Sequence, residues 1–331
     1  MSRALLRPAA AVALALATAL TAAACGSDGG AATGGADETG GARPSASTAD
    51  GTHPVKHFRG ETAVPDHPQR VVVLDTDALD SAVTLGVTPV GATTVAAGAP
   101  LPDYLPADKV KGITAVGTIG EPNLEAIAAL KPDLILSSQV RDEKRYDELS
   151  KIAPTVFTET TGPVWKQNFD LHAEALGRQA EARQVEAAYR NRIQDLVGRL
   201  GGAAKVKATT VEMARFVEGA PTRLYLNDTF VGSIFKDLGV GRPANQDKDG
   251  FSLEISPEQV DQADADVIFW STYGDAVKSN QKKITESPLW RNLTAVREKR
   301  AYPVDDNLWM LGIGYTGAGR ILDEIQRDLL G

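Results

Sequence analysis

The sequence predicts an α/β protein with two related lobes. Strand-like apolar runs alternate with helix-like segments before residue 168 and again after Gly202, which is typical of βαβ units and a mostly parallel sheet. Residues 168–200 have apolar side chains at helical spacing and no strand signal. We expect Gly177 to separate two helices here, and the second, over residues 180–200, would be about 30 Å long at 1.5 Å per residue. Such a helix can run from one lobe to the other.

The elements of the first lobe follow from short apolar runs bounded by polar residues. Residues 57–65 contain two strand-like pieces about Gly60, and residues 69–75 form a run typical of a buried strand. A helix is expected after Asn123, because asparagine is a preferred N-cap residue. The other predicted elements are strands 90–94, 134–137 and 155–158 and helices 80–85, 124–130 and 146–152.

The second lobe repeats the pattern, and an internal echo relates it to the first. Glu125 lies eight residues before Asp133-Leu134-Ile135-Leu136, and Glu258 lies eight before Asp266-Val267-Ile268-Phe269. Each glutamate is expected in the first turn of a helix, where it can simply complement the helix dipole. The predicted elements are strands 209–216, 267–271 and 301–304 and helices 230–238, 257–262, 288–293 and 316–330. The predicted boundaries are 55–165 for the first lobe, 166–202 for the connecting helices and 203–331 for the second lobe.

Composition and charge are those of a globular chain. With 331 residues, 43% of them apolar, the protein can bury the cores of two domains. Its 35 basic and 43 acidic residues give a formal charge of −8, which argues against sequence-independent binding to nucleic acid or to an anionic membrane surface. The single cysteine, Cys25, closes no intrachain disulfide.

The N-terminal segment has the features of a targeting signal. Arg3 and Arg7 precede an apolar stretch over residues 8–24, which ends in three alanines before Cys25. Residues 26–52 contain no large apolar or aromatic side chain, so they cannot bury apolar surface and are expected to form a flexible linker. The alternatives are a buried structural thiol and a 17-residue helix at the short limit for crossing a bilayer.

Signal, cysteine and linker together resemble a bacterial lipoprotein. In that family the cysteine thiol is diacylated, and cleavage makes this cysteine the first residue of the mature chain; two acyl chains give stable anchoring where one does not. The resemblance implies a signal peptide over residues 1–24, an acylated Cys25 with a linker over residues 25–54, and a location on the extracytoplasmic face of the cell membrane. Ala22 departs from the leucine that is commoner three positions before the cysteine.

Several further segments form a recognisable combination: His57-Phe58-Arg59-Gly60 through Pro65, residues 68–74, 122–127 and 130–135, and Ile255-Ser256-Pro257-Glu258. Together they resemble the iron-siderophore, heme and cobalamin substrate-binding proteins of ABC importers. The similarity covers about residues 55–330. It implies two Rossmann-like lobes joined by a single long rigid helix, with a ligand cleft between the lobes and little hinge closure. It also implies a monomer that delivers its ligand to a permease dimer with separate ATPase subunits, docking through Glu125 and Glu258 onto arginines of the permease.

The ligand-binding residues are expected at the carboxyl ends of the strands, where open α/β sheets bind ligands. Three of the four tryptophans fall on predicted strand-end loops, and the fourth, Trp290, is assigned to the core. The candidates in the first lobe are Thr76, Asp77, Thr94, Ser138, Arg141 and Trp165. Those in the second lobe are Arg215, Phe216, Trp270, Tyr273, Trp309 and Tyr315. Each of the aromatic candidates could instead be a core or lid residue.

Chemistry narrows the expected ligand. A hexadentate siderophore already saturates its iron, so the protein needs no cofactor and no metal ligands of its own, only aromatic walls, hydrogen-bond donors and matching charge. Ferric tris-catecholates are strongly anionic and need a basic cluster, whereas ferric tris-hydroxamates are near neutral or cationic. Arg141 and Arg215 are the main basic candidates in an acidic chain. A hydroxamate siderophore is therefore favoured over a catecholate, and more weakly over heme. The alternative within the same family is a heme- or cobalamin-binding protein.

Other motifs carry less weight. Gly312-x-Gly314-x-x-Gly317 matches the glycine pattern of a dinucleotide fingerprint, but no acidic residue can follow on a second strand about 20 positions later. His53 and His57 are spaced for one helix face, but Pro54 between them argues against a metal site.

The alternative from another functional class is a cell-surface enzyme with Asp75 and Asp77 as its acids. The sequence contains no Gly-x-Ser-x-Gly elbow and no P-loop, so neither a hydrolase nucleophile nor a phosphate cradle is evident. We therefore expect a binding protein and not an enzyme.

Overall fold

The structure is a computed structural model, and it describes residues 51–330. The predicted signal peptide, Cys25 and most of the predicted linker lie outside these residues. Among the residues described, no helix is both long and apolar enough to cross a membrane.

The chain enters the first lobe through an antiparallel hairpin of β1 (Thr52–His57) and β2 (Gly60–Pro65). The two strands turn about Gly60, as predicted, and Gly60 has a φ of 118° that suits glycine. β1 begins three residues before the predicted start of the lobe at Val55, because Thr52 to Pro54 pair with Ala63 to Pro65. The hairpin packs against the first lobe, because β1 contacts α6 (Trp165–Ala175) and β8 (Thr155–Thr158).

A six-stranded sheet forms the centre of the first lobe. Its order is β6-β5-β4-β3-β7-β8, and every pair is parallel except β5 with β6. The strands are β3 (Val71–Val73), β4 (Gly91–Thr94), β5 (Thr114–Thr118), β6 (Glu121–Pro122), β7 (Leu134–Ser138) and β8 (Thr155–Thr158). The helices are α1 (Thr76–Thr84), α2 (Ala107–Val110), α3 (Leu124–Ala129), α4 (Gln139–Asp142) and α5 (Tyr146–Ile152), with a 3₁₀ turn at Glu143–Arg145.

Two helices leave the first lobe, as the sequence predicts. They are α6 (Trp165–Ala175) and the 21-residue α7 (Gln179–Arg199). Gly177 separates them with a φ of 65°, and a Cβ there would lie 2.4 Å from the carbonyl oxygen of Asp66. α7 packs against α6 and also against two helices of the second lobe, α9 (Phe230–Leu238) and α13 (Tyr315–Leu330), so it connects the two lobes.

The second lobe has a five-stranded mixed sheet in the order β11-β10-β9-β12-β13. β12 is parallel to β9 and β13, whereas β10 is antiparallel to β9 and β11, so this sheet is less parallel than predicted. The strands are β9 (Val211–Val217), β10 (Thr222–Tyr225), β11 (Ser252–Ile255), β12 (Val267–Tyr273) and β13 (Ala301–Pro303). The helices are α8 (Ala203–Ala208), α9 (Phe230–Leu238), α10 (Gln281–Thr285), α11 (Pro288–Asn292), α12 (Thr294–Arg297) and α13 (Tyr315–Leu330).

The segment Pro257–Ala263 is a 3₁₀ helix and not the predicted α-helix. Gln259 interrupts it with φ −106° and ψ 18°, which an α-helix does not accommodate. The Gln259 side chain accepts a hydrogen bond from the Ser256 amide at 3.1 Å, as the N-terminal capping pattern predicts. A π-helical turn, Asn307–Leu311, follows β13.

One buried interaction joins α1 of the first lobe to α13 at the end of the chain. The carboxylate of Asp80, which is fully buried, accepts hydrogen bonds from the amides of Thr316 at 3.1 Å and Gly317 at 3.0 Å. These amides belong to the first turn of α13 and have no partner within the helix. Asp80 therefore holds the helix that closes the second lobe against the first.

The glycines of the apparent dinucleotide pattern serve this contact. A Cβ at Gly314 would lie 2.2 Å from a carboxylate oxygen of Asp80, and one at Gly317 would lie 1.7 Å from the carbonyl oxygen of Gly312. Both distances are shorter than any packing allows, so glycine is required for steric reasons. Close approach of the Asp80 side chain to Gly314 and of the Gly312 backbone to Gly317 accounts for the motif.

Replacing Gly317 by alanine should destabilise the protein by about 2–4 kcal/mol, because the new methyl group must displace the backbone at Gly312. Gly319→Ala is the matched control, since a Cβ there meets open space in the same helix, and it should be neutral or stabilise by up to about 1 kcal/mol. Urea unfolding of both variants measures the difference. Equal stability of the two variants would contradict the steric explanation.

Candidate functional site

A cleft of about 470 Å³ lies between the two lobes. The first lobe contributes Arg141 and the loop 160–163 that follows β8. The second lobe contributes residues from β9, β10, the start of α9 and the turn after β13. These are Arg215, Tyr225, Asp228, Thr229, Phe230, Val231, Phe251, Trp309, Met310, Leu311 and Ile313. The cleft therefore lies at the carboxyl ends of the parallel strands, as predicted.

Arg141 is held over the first lobe by a buried carboxylate. Its Nε donates to Oδ2 of Asp75 at 3.1 Å, and the Asp75 side chain has no exposed surface. Asp75 also accepts hydrogen bonds from the Ser138 hydroxyl at 3.0 Å and from the Thr76 amide at 2.8 Å. β3 ends just before Asp75 and β7 ends at Ser138, so neighbouring parallel strands bring these groups together.

Arg215 is held more tightly on the second lobe. Its Nε and Nη2 donate to the two carboxylate oxygens of Asp306 at 2.7 and 2.5 Å, and both side chains are largely buried. Asp306 also accepts from the Ser271 hydroxyl at 2.8 Å, and the ring of Tyr273 lies 4.9 Å from the guanidinium carbon of Arg215. Burial lowers the pKa of Arg215, but the hydrogen bonds and charge of Asp306 outweigh it, so the guanidinium stays charged.

These pairings set the electrostatics of the cleft. Each arginine that lines it has a carboxylate in direct contact, so the two cation–anion pairs contribute no net charge. Asp228, which is exposed, adds one negative charge to the lining. The cleft is therefore not a basic cluster, although two guanidinium groups still offer N–H donors along its walls.

The aromatic wall lies mainly on the second lobe. Tyr225 and Phe251 pack edge to face at 5.2 Å, and Phe230 begins α9 beside them. Trp309, which also lines the cleft, is fully buried: its ring packs against Phe269 at 4.7 Å and its indole N–H donates to Glu324 at 2.6 Å. The sequence identified Trp309 but not the other three aromatic residues.

Two predicted aromatic ligands lie in the core and not on the cleft. Trp165 is 1% exposed, and its ring packs against Tyr189, Phe230 and Tyr315 at centroid distances of 4.6 to 5.7 Å. Both Trp165 and Tyr315 are first residues of helices, α6 and α13, and neither is on a strand-end loop. Their rings fill the contact between helices from the two lobes.

Phe216 and Trp270 lie on the opposite face of the second sheet. They pack against each other at 5.7 Å and against Trp290 at 6.0 and 6.3 Å, in a separate apolar cluster. Because side chains alternate along a strand, Arg215 faces the cleft and its neighbour Phe216 faces away. The assignment of Trp290 to the core is confirmed.

Thr76, Asp77, Thr94 and Ser138 are all buried beneath the cleft, and none of them lines it. Ser138 acts through Asp75, as described above. Asp77 accepts a hydrogen bond from the Asn168 amide at 2.7 Å, and burial together with the charge of Asp75 raises its pKa to about 8. Asp75 and Asp77, the proposed acids of an enzyme, are therefore engaged in buried contacts. Tyr273 is 54% exposed and stacks on Arg215 at the edge of the cleft.

Several lining residues were not identified from the sequence. Tyr225 is the last residue of β10 and Phe251 directly precedes β11, and no alternating pattern revealed these two short antiparallel strands. Asp306 lies three residues after β13, where it faces Arg215 from a distant part of the chain. A carboxylate two or three residues after a strand was the available signal for Asp306, as it was for Asp75.

The two echoed glutamates are both exposed, one on each lobe. Glu125 is in the first turn of α3, which the Asn123 side chain caps by accepting from the Ala126 amide at 3.0 Å. Glu258 is in the first turn of the 3₁₀ segment that follows β11. Neither carboxylate makes an ion pair within residues 51–330.

Two α/β lobes, a connecting helix and a cleft lined from both sides define a bilobal substrate-binding protein. The periplasmic binding protein family matches residues 71–308, and the chain belongs to this family.

Relatives agree with this fold. The chain is 40% identical to the probable siderophore-binding lipoprotein YfiY of Bacillus subtilis (strain 168), over 84% of this chain and 88% of that protein. It is 32% identical to the Fe(3+)-citrate-binding protein YfmC of the same organism, over 76% and 77% of the two chains. The crystal structure of Staphylococcus aureus SirA complexed with staphyloferrin B matches with a TM-score of 0.75 and 34% identity, over 84% of this chain and 99% of SirA.

The buried carboxyl of Asp77 should make stability fall as pH rises. Its pKa of about 8 in the folded protein is above the ordinary 3.8, so the folded state retains a proton that the unfolded state has lost between these values. Relative to Asp77→Asn, the wild type should lose about 2 kcal/mol of unfolding free energy between pH 6.5 and 8.5. Denaturant unfolding at both pH values measures this loss, and a parallel dependence in the two proteins would exclude a proton on Asp77.

Proposed function

We propose that this protein is the solute-binding component of an ABC importer and that it captures a ferric siderophore in the interlobe cleft. The observation that carries the proposal is a cleft of about 470 Å³ with an aromatic wall on one lobe and an arginine on each. Relatives whose names specify siderophore or ferric-chelate binding share this fold over most of their length. An iron chelate that is already saturated needs aromatic surface and hydrogen-bond donors, which this cleft supplies.

The ligand we propose is a ferric hydroxamate siderophore. Support comes from the charge of the cleft, because Asp75 and Asp306 neutralise the two arginines and leave no excess of positive charge. A near-neutral chelate can accept hydrogen bonds from the guanidinium edges without an electrostatic penalty. A strongly anionic tris-catecholate would meet the additional carboxylate of Asp228.

A titration panel tests the ligand. Ferrioxamine should quench the fluorescence of the purified protein with sub-micromolar affinity, because Trp309 contributes to the cleft wall. Trp309→Phe should remove most of the quenching, whereas Trp290→Phe, which changes a tryptophan outside the cleft lining, should preserve it. Ferric citrate, a ferric tris-catecholate, heme and cobalamin complete the panel. Saturable binding of one of these, with no response to any ferric hydroxamate, would reject the hydroxamate assignment, and turnover of a ligand would favour an enzyme.

The charge argument gives a sharper test. Asp306→Asn should leave Arg215 without its counter-charge and raise the affinity for a ferric tris-catecholate at least about tenfold, while changing the affinity for ferrioxamine less. Asp261→Asn is the matched control, because it removes the same charge from an exposed position outside the cleft lining. Equal effects of the two substitutions would show that the cleft carboxylate does not set the charge preference.

Delivery to a permease is proposed to use Glu125 and Glu258. Support comes from their exposure, their equivalent places in the first turns of helices on the two lobes, and the absence of ion-pair partners among the described residues. Two such charges can contact a two-fold partner at once.

Anchoring is proposed to occur through diacylated Cys25 on the extracytoplasmic face of the membrane, in line with relatives named as lipoproteins.

Uptake of the radiolabelled ferric ligand by cells tests the docking proposal, and fractionation of the cells tests the lipid anchor. The double variant Glu125→Ala/Glu258→Ala should abolish uptake and leave the dissociation constant of the purified protein unchanged. Glu148→Ala/Glu286→Ala is the control, since it also removes one exposed acid from each lobe, and it should preserve uptake. Cys25→Ser should move the protein from the membrane fraction to the soluble fraction. Loss of ligand binding in the first double variant would assign those glutamates a structural role instead.

A further inference from the structure

A second cavity, of about 190 Å³, lies at the end of the second lobe that is remote from the cleft. Its walls come from the starts of β9 and β12, the end of α7, α8, and the last turn of α13. The amino ends of β9 and β12 face it, whereas the interlobe cleft lies at their carboxyl ends. The two cavities share no lining residue.

The interior of this second cavity is apolar. Val206, Val211 and Val267 are buried side chains that line it, and leucines from α7 and α13 complete the walls. An unfilled space of this size beside buried valines forgoes the van der Waals contacts that a close-packed core makes. An apolar group that enters would recover them.

Its polar groups include three donors without partners. Nε of Arg300 is buried without a hydrogen-bond partner, although Nη2 of the same side chain pairs with Glu298. Within residues 51–330 Lys205 makes no ion pair and the Tyr302 hydroxyl makes no hydrogen bond. Arg199 also lines the cavity, and its guanidinium lies 3.9 Å from the carboxylate of Asp195. The one acid in the lining, Asp328, is bound by Arg327 at 2.7 and 3.0 Å, so among the described residues Lys205 is the one lining charge without a counter-charge.

We propose that this cavity binds a small amphiphile with a single alkyl chain and an anionic head group. The alkyl chain would lie against the valines and leucines, and the head group would accept hydrogen bonds from Lys205, Arg300 and Tyr302. The volume suits one short chain, and the uncompensated charge of Lys205 selects against a cationic head group. The site is separate from the cleft, so its occupancy does not depend on the siderophore.

Calorimetric titration of the purified full chain carrying Cys25→Ser, which has no acyl anchor to compete, tests the proposal with sodium octanoate as the probe. Octanoate should bind with 1:1 stoichiometry, and octyltrimethylammonium, which has the same chain and the opposite charge, should not. Prior saturation of the cleft with ferrioxamine should leave the octanoate titration unchanged.

Two charge reversals on one short helix locate the site. Lys205→Glu should weaken octanoate binding at least tenfold, whereas Lys207→Glu, on the same exposed helix but outside the cavity lining, should change it less than twofold. A thermal unfolding curve of each variant confirms that it is folded. The proposal is overturned if octanoate gives no binding heat, if the cationic analogue binds equally well, or if the two lysine variants behave alike.

Discussion

The contact of Asp80 with the start of α13 is the constraint on which the arrangement of the two lobes depends. A carboxylate without solvent exposure costs free energy unless its oxygens are hydrogen-bonded, and burial raises the pKa of Asp80 to about 6. Two amides at a helix N-terminus and the Thr84 hydroxyl satisfy the oxygens, and the helix dipole favours the negative charge there. The last helix of the chain is thereby fixed to the first lobe, in addition to the covalent link through α7. A binding protein with two such connections has less freedom to open than one with a single hinge.

Hydrogen-bonded carboxylates also hold the charged groups of the cleft. Arg141 and Arg215 each lie against a carboxylate that is itself hydrogen-bonded by a serine, Ser138 or Ser271. Such support fixes the direction of the guanidinium plane and removes its net charge, while its outer N–H groups stay available. The cleft thus offers directed donors and aromatic surface without an excess of positive charge. Replacing one of these carboxylates by the corresponding amide changes the charge of the cleft and keeps the size of the supporting side chain.

Local patterns were sufficient for most elements of the fold but not for their assembly into a site. Val71 to Val73, the Asn123 cap and the helical spacing after Asn168 are each encoded within a few residues, and the structure contains the elements they predict. The strands β10 and β11 escaped prediction because each has only four residues and because they pair with each other across a long intervening segment that contains α9. The sequence predicted cleft positions for Trp165 and Tyr315. Each is the first residue of a helix, and the local sequence does not specify whether a ring at that position packs inward or outward.

The sequence by itself determined the α/β alternation, the long connecting helix, the two echoed glutamates and the pair of arginines, because each depends on periodicity, capping or residue type over a short span. The tertiary structure decided which face each side chain presents, so that Arg215 lines the cleft and Phe216 does not. It also decided which carboxylate meets which arginine, since Asp306 and Arg215 are 91 residues apart in the chain. Charge compensation and burial are properties of neighbours in space, and folding brings those neighbours together.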